Sequence, residues 1–272
     1  MPELPEVETV RRTLTPALGQ KILGVWDSGK GLHMRRKPPR KKLRSLVGAT
    51  LTKARRHGKY LLLDTDTDAT LLIHLGMTGR VLVSPSETPR PNHTHLVLDL
   101  GAKELRFADA RRFGQLDVVD KAHWRSHPAL ESLGPDPLVD GIDPVAFAAR
   151  ARGKKATLKA FLLDQTVIAG VGNIYASEAL WRAKLRPTTR ALKLTMESAA
   201  RLVEAINETF KNALENGGTS FSDFIAADGA YGDNEEYLWV YGREGEPCRR
   251  CKTKIRRAVQ QGRVTFFCPS CQ

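Results

Sequence analysis

All four cysteines of this 272-residue chain fall in its last 25 residues, as CRRC (Cys248, Cys251) and CPSC (Cys268, Cys271), with 16 residues between the pairs. Two Cys-x2-Cys pairs at this spacing suit two tight turns at the base of a hairpin, with four thiolates closing tetrahedrally around one zinc ion. The other use of such a pattern is a pair of disulfides in a secreted tail. It is disfavoured by 247 preceding residues without cysteine and by the lack of a signal-like segment ahead of Arg11 and Arg12. Four protein ligands leave no open position for water, so the expected metal is structural. The intervening KTKIRRAVQQGRVTFF carries Arg256, Arg257 and Arg263 with no acids, so zinc would hold an arginine-bearing finger against DNA or RNA.

The charge distribution points the same way. Lys plus Arg number 43 against 30 Asp plus Glu, a net +13. Twelve basic residues and no carboxylate lie between Lys30 and Lys59, and seven with none from Cys248 to Gln272. Basic groups gain by displacing counterions from phosphates, and two such zones far apart in sequence suggest one groove lined from both ends. There is no apolar run of about 18 residues, so the expectation is a soluble cytoplasmic protein without membrane association.

Along the chain the hydrophobic period passes from helical to β-like and back to helical. Val7, Val10 and Leu14 are spaced for a helix over 3–14, behind prolines suited to a helix start. Short β-like runs then follow: KILGVWD, ATLTKA, KYLLLDT, TLLIHLGMTGRVLV, THLVLDL, KELRFAD and GQLDVVD. Their spacing and turn residues predict an antiparallel sandwich or barrel ending near 132–141. Helices are expected over 144–151, 156–165, 173–183 and 193–215, the last closed by GGT at 217–219. The Gly- and Asp-rich stretch after it reads as a loop that orders around a ligand. A small C-terminal module begins near Tyr237, too short to fold on a core of its own.

Two stretches carry candidate chemistry. In AGVGN, Gly170 and Gly172 allow a tight turn and Asn173 is placed to cap the helix that follows. Such a helix start serves equally as a simple cap and as a phosphate grip. In the opening MPELPEVETV, Glu3 and Glu6 share one face of the first turn, where acids are favourable with or without chemistry. Removal of Met1 would expose Pro2 as a secondary amine. An α-amine titrates near about 7.7 to 8.0, far below the roughly 10.4 of lysine, so it is partly nucleophilic at neutral pH. Its attack on a sugar C1′ gives an iminium, which couples base removal to strand cleavage. Glu3 suits the neighbouring acid, and Glu6 would hold the turn or tune the amine.

PELPEVET at 2–9, HGKY at 57–60, HLGMTG at 74–79, DARRFG at 109–114, GVGNIYASE at 170–178, YGREGEPC at 241–248 and FCPSCQ at 267–272 together resemble the formamidopyrimidine-DNA glycosylase family. The match runs in order from end to end. The resemblance implies an α+β chain: an N-terminal β-sandwich with its helix over 1–134, a helix-two-turns-helix domain with a lesion-recognition loop over 135–236, and a zinc-finger hairpin over 237–272. It implies a bifunctional glycosylase and AP lyase that excises 8-oxoguanine and formamidopyrimidines from double-stranded DNA through a Pro2 Schiff base, followed by β,δ-elimination. One structural zinc, no catalytic metal or organic cofactor, and a monomer working on bacterial chromosomal DNA in the cytoplasm complete the expectation.

The resemblance makes Pro2 the nucleophile, Glu3 the essential acid and Glu6 a support. It places Lys59 near the phosphates of the damaged nucleotide, Asn173 in the two-turn phosphate clamp and Arg263 on the finger. Met77, Arg111 and Phe113 are the residues it sends into the duplex, Arg111 toward the estranged cytosine. Local composition alone would put Met77 and Phe113 in the core. Asp109 and Glu178 are expected to brace the DNA-contacting elements, His74 reads as structural, and His93 with His95 lack a third metal ligand. The stretch from Gly217 to Tyr237 resembles the loop that closes over the extruded base, its backbone amides meeting the base edge. Two other readings are an endonuclease VIII-like enzyme for oxidised pyrimidines, which usually opens PEGPE rather than PELPE, and a noncatalytic zinc-containing DNA-binding protein.

Overall fold

In the computed structural model, which describes residues 1–32, 38–219, 226–229 and 232–272, helix α1 (Leu4–Thr13) starts behind Glu3 as its N-cap. Glu3 and Glu6 form a capping box, each side chain accepting the other residue's backbone N–H, which satisfies two otherwise orphaned donors. The chain continues through β1 (Gly24–Asp27), the short helix α2 (Arg40–Arg44), β2 (Leu51–His57), β3 (Tyr60–Thr65), β4 (Ala69–His74), β5 (Gly79–Pro85), β6 (Thr94–Asp99), β7 (Lys103–Asp109) and β8 (Gln115–Asp120). These strands form two antiparallel four-stranded sheets, ordered β1-β6-β7-β5 and β2-β3-β4-β8. Alternate residues enter a shared core: Leu61, Leu63, Leu71 and Ile73 from one sheet, Leu96, Leu98, Leu105 and Phe107 from the other. Helix α1 adds Val7, Val10 and Leu14 to the same cluster.

This sandwich is the larger part of one compact unit, Met1–Glu131 with Asn216–Asp233. The later segment is tied in by backbone hydrogen bonds: Ala227 N–H donates to Thr13 Oγ1 at 3.0 Å, and Val83 N–H donates to the Ala227 carbonyl at 2.9 Å. The described residues of this segment therefore belong to the sandwich unit. Within the stretch compared above to a lesion-recognition loop, residues 220–225 and 230–231 lie outside the described residues.

The second unit, Ser132–Glu215 with Asn234–Gln272, holds α3 (Pro144–Ala151), α4 (Leu158–Leu163), α5 (Asn173–Arg182), α6 (Met196–Glu215) and a hairpin of β9 (Arg256–Gln260) and β10 (Arg263–Phe267). Asp143 caps α3 by accepting the Val145 and Ala146 N–H groups, and Thr157 caps α4 by accepting that of Ala160. Phe147 packs on Phe161 and Tyr175 on Phe210. The hairpin module lacks a private core: Cys248, Ile255, Phe266 and Cys268 cluster with Val240 and with Trp181 of α5. It forms one unit with the helices, where the sequence suggested a separate span.

Other departures are local. The expected helix at 156–165 is trimmed to α4 by its Thr157 cap, and the one at 193–215 starts at Met196 after a single 3-10 turn, Ala191–Lys193. Helix α2 lies in the basic run, where close-spaced charges hide the helical period. No helix among the described residues is long and apolar enough to cross a membrane.

Candidate functional site

Strand register gathers several predicted residues at one end of the sandwich. Tyr60 at the start of β3 pairs with His74 at the end of β4, and His74 pairs with Gln115 at the start of β8. The turn carrying Lys59, the Leu75–Thr78 segment carrying Met77 and the Ala110–Gly114 loop carrying Arg111 and Phe113 thus all leave the same edge. Helix α1 points its start the same way. Arg11 donates to the Ala54 carbonyl at 3.4 Å while Glu8 meets Arg56 at 3.1 Å, so the helix runs back toward its first residue as β2 advances to its turn.

The residues at and just ahead of that helix start are well enclosed. Pro2 is buried, Glu3 is 2% exposed and Glu6 1%. Glu6 Oε2 accepts the Glu3 N–H at 2.8 Å, and its Oε1 accepts the Thr219 N–H at 2.8 Å. One carboxylate therefore clamps the N-terminal turn to a segment from far along the chain. Lys59 is also buried, at the tip of the β2–β3 turn.

Asp109 organises the neighbouring loops. Buried at the end of β7, it accepts from Thr78 Oγ1 at 2.5 Å and from the Gly114 N–H at 2.7 Å; Thr78 Oγ1 in turn accepts the Arg111 N–H at 3.1 Å. A Cβ on Gly76, whose φ is +64°, would lie 2.5 Å from the Phe113 carbonyl carbon, so only glycine lets the two loops approach this closely. Met77 is exposed and Phe113 half-buried, with the Arg111 guanidinium 4.6 Å from the Phe113 ring centre. Neither apolar residue is in the core, contrary to what local composition suggested: both sit on turns whose backbones are held by Asp109 and Thr78.

His74 and His95 are structural in geometry. His74 Nδ1 accepts the Gly76 N–H at 3.1 Å, and His95 bridges Ser28 Oγ and the Asp109 carbonyl.

In the second unit, Gly170 adopts φ +96° and its N–H donates to Gln165 Oε1 at 2.9 Å. Gly172, not Asn173, is the N-cap of α5. Asn173 is the first helical residue, and its Nδ2 donates to the Tyr241 hydroxyl at 3.3 Å instead of closing back on the helix. Its carbonyl accepts from Lys159 Nζ, which also donates to Ser177 Oγ at 2.6 Å. Glu178, fully enclosed on α5, accepts the N–H groups of Trp239, Val240 and Tyr241 at 2.8, 3.0 and 2.8 Å. Burial raises its pKa above the ordinary carboxylate value, against the pull of those amides and of Arg182. Arg263 follows a tight hairpin turn in which Gln261 and Gly262 both have positive φ, the type I′ geometry, and its side chain is exposed at the hairpin tip.

The Sγ atoms of Cys248, Cys251, Cys268 and Cys271 all lie within 4.8 Å of one another. Tetrahedral zinc with bonds of about 2.3 Å places its sulfurs about 3.8 Å apart, so these four thiols fit a structural zinc ion.

Family models match the chain in the same order as its structural parts: the formamidopyrimidine-DNA glycosylase N-terminal domain over 1–116, the H2TH domain of that enzyme over 133–224, and the zinc finger found in FPG and IleRS over 245–272. The formamidopyrimidine-DNA glycosylases of Xanthomonas axonopodis pv. citri and Cereibacter sphaeroides are each 44% identical, with the whole of both chains covered. The chain belongs to the formamidopyrimidine-DNA glycosylase family. Among solved structures, a mutant of the Lactococcus lactis enzyme bound to Fapy-dG-containing DNA is 35% identical with a TM-score of 0.92, covering 100% of this chain and 99% of that one. The L. lactis enzyme on abasic-site DNA is 34% identical at 0.89, covering 99% of each chain, and its complex with DNA containing an oxidised pyrimidine is 35% identical at 0.90, covering 100% and 99%.

In this glycosylase the sandwich unit brings together Pro2, Glu3, Glu6, Lys59, Met77, Arg111 and Phe113, and the second unit holds Asn173, Arg263 and the four cysteines. Sequence reasoning missed Thr78, Thr219, Arg56 and Lys159. Threonine and arginine are too common for composition to single these out, and each acts through a partner distant in sequence.

Proposed function

We propose that this glycosylase excises oxidised purines, 8-oxoguanine and formamidopyrimidines, from double-stranded DNA and then cleaves the strand, with the Pro2 amine as nucleophile. Removal of Met1 frees the nitrogen. It attacks C1′ of the damaged nucleotide and gives up its proton, and the bond from C1′ to the base breaks with its electron pair leaving on the base, which takes up a proton. Glu3 protonates the sugar ring oxygen, the ring opens, and an iminium joins Pro2 to C1′. That iminium acidifies the C2′ proton, so β-elimination expels the 3′ phosphate and a second elimination the 5′ phosphate.

The observation that carries this reading is the enclosed start of α1. Pro2 and Glu3 are held by the Glu6 clamp and directed toward the end of the sandwich that bears Lys59. Lys59, Asn173 and Arg263 are assigned to phosphates, which position the duplex without reading sequence. Met77 and Phe113 fill the gap left by the extruded base, and Arg111 hydrogen-bonds the estranged cytosine. The zinc finger holds Arg263 in place. One copy of the chain carries every group named, so a monomer suffices, acting on chromosomal DNA in the cytoplasm.

Borohydride trapping on a duplex bearing 8-oxoguanine opposite cytosine, with mass analysis of the linked peptide, tests the reading. DNA attached to a peptide that begins at Pro2 is the expected result, and base release with no adduct would sink the mechanism. The L. lactis complex with an oxidised pyrimidine favours a second substrate class. The same trapping on an oxidised-pyrimidine duplex measures it.

A further inference from the structure

The second turn of α1 carries a carboxylate that the proposed chemistry does not use. Glu8 accepts from Arg11 at 2.7 and 2.9 Å, from Arg12 at 3.0 Å and from Arg56 at 3.1 Å. Arg11 and Arg12 lie on the same helix, and the Arg12 side chain is 54% exposed. Arg56 is different. It comes from β2, its side chain is 1% exposed, and a second arm of its guanidinium reaches onward to donate to the Gly58 carbonyl at 3.1 Å.

That carbonyl belongs to the peptide that leads into Lys59. His57 pairs with Tyr60, so Gly58 and Lys59 are the two central residues of the hairpin turn, and Gly58 has φ +54° while Lys59 has none of the positive φ seen elsewhere. A two-residue turn with glycine in that conformation at its first position is type II′. The strand ladder closes at His57 and Tyr60, and the carbonyl of the peptide between the two central residues is held by a side-chain hydrogen bond. Arg56 supplies that bond.

We propose that Arg56, fixed by Glu8, is a positioning residue for Lys59: it sets the Gly58–Lys59 peptide and thereby the place of the Lys59 ammonium relative to Pro2 and Glu3. Helix α1 then carries both the attacking amine at its start and, one turn later, the anchor for the lysine turn. The two halves of the site are registered by one rigid element. A planar guanidinium is suited to the task because it donates in two directions at fixed angles, whereas a lysine offers a single point of charge. Glu8 is ionised throughout the working range, since Arg11, Arg12 and Arg56 outweigh the effect of burial and bring its pKa to about 2. The inference rests on the reading of Lys59 as a group that meets the damaged nucleotide.

The test is a double-variant cycle. Single-turnover excision of 8-oxoguanine and borohydride trapping are measured on the full chain for the parent, Arg56→Lys, Lys59→Ala and the double variant, with a thermal midpoint for each. Arg56→Lys is expected to slow both steps about tenfold or more while remaining folded, since small misplacements of a reacting group carry rate losses of this order. The double variant is expected to be no slower than Lys59→Ala, because a residue acting through Lys59 has nothing left to position. Additive losses in the double variant, or an Arg56→Lys rate equal to the parent's, would overturn the proposal in favour of packing alone. Should Arg56→Lys fail to fold, Glu8→Gln replaces it in the cycle with the same two outcomes. A parent that forms no Pro2 adduct removes the underlying reading as well, whereas a normal adduct with additive variants removes only this inference.

Discussion

The Glu6 carboxylate and the Thr219 amide, 213 positions apart in the chain, are joined by a 2.8 Å hydrogen bond. The other oxygen of the same carboxylate holds the Glu3 N–H, so the N-terminal turn that carries Pro2 and the 216–219 segment share one anchor. Both donors are buried. Glu6→Gln leaves one of them facing an amide N–H2 and is expected to lower stability by about 1 to 3 kcal/mol, with Glu6→Ala worse. Urea unfolding measures the loss, and trapping at Pro2 should slow in parallel. A Glu6→Ala chain as stable and as reactive as the parent would contradict the clamp.

Asp109 accepts from Thr78 and Gly114 and so links the two turns that carry Met77, Arg111 and Phe113. Asp109→Ala unties both. Affinity for abasic-site DNA, read by fluorescence anisotropy, is expected to fall about tenfold or more, the equivalent of one charged hydrogen bond. Stability should fall too, whereas Arg111→Ala, which removes only an exposed side chain, should weaken binding with little change in unfolding.

Glu8 makes the chain's acid stability predictable in sign. Burial alone would raise its pKa, but hydrogen bonding and charge from Arg11, with Arg12 and Arg56, lower it from an ordinary 4.5 to about 2. The folded chain therefore takes up this proton less readily than the unfolded one. Its contribution is fully present above about 4.5 and is lost as pH falls toward about 2. Glu8→Gln should be less stable than the parent near neutrality, and the gap should close across that window in urea titrations run at stepped pH. A gap that widened on acidification would refute the assignment.

Metal removal should act on the second unit first. The finger's cysteines share their apolar cluster with Trp181, which stacks on Trp239 at 4.7 Å. Chelation is expected to release about one zinc per chain, shift tryptophan emission and weaken DNA binding, because a small metal module folds on its ligands. Full DNA affinity after complete zinc loss would remove the finger from the binding surface.

Much of this was legible beforehand because it is local. The capping box depends on Glu3 and Glu6 being three apart, the metal site on two Cys-x2-Cys pairs, and the strands on short apolar runs such as KYLLLDT and THLVLDL, bounded by turn residues and buried nearly throughout. Local reasoning failed where a residue's neighbours are not its sequence neighbours. Met77 and Phe113 look like core residues in isolation but stand out on turns, and Asn173 sits where a cap is expected yet turns to Tyr241.

By itself the sequence determined the order of parts, the start of α1, the zinc ligands and the basic character of the chain. These follow from spacing along a helix, a strand or a turn, which the backbone's own periods dictate. Only the tertiary structure decided that Lys59, Met77, Arg111 and Phe113 leave one edge of a sheet, that Thr219 returns to Glu6, and that Glu8 reaches Gly58 through Arg56. Those relations depend on strand register and on the direction in which α1 lies against β2, and a register shift of a single residue would send each side chain to the opposite face.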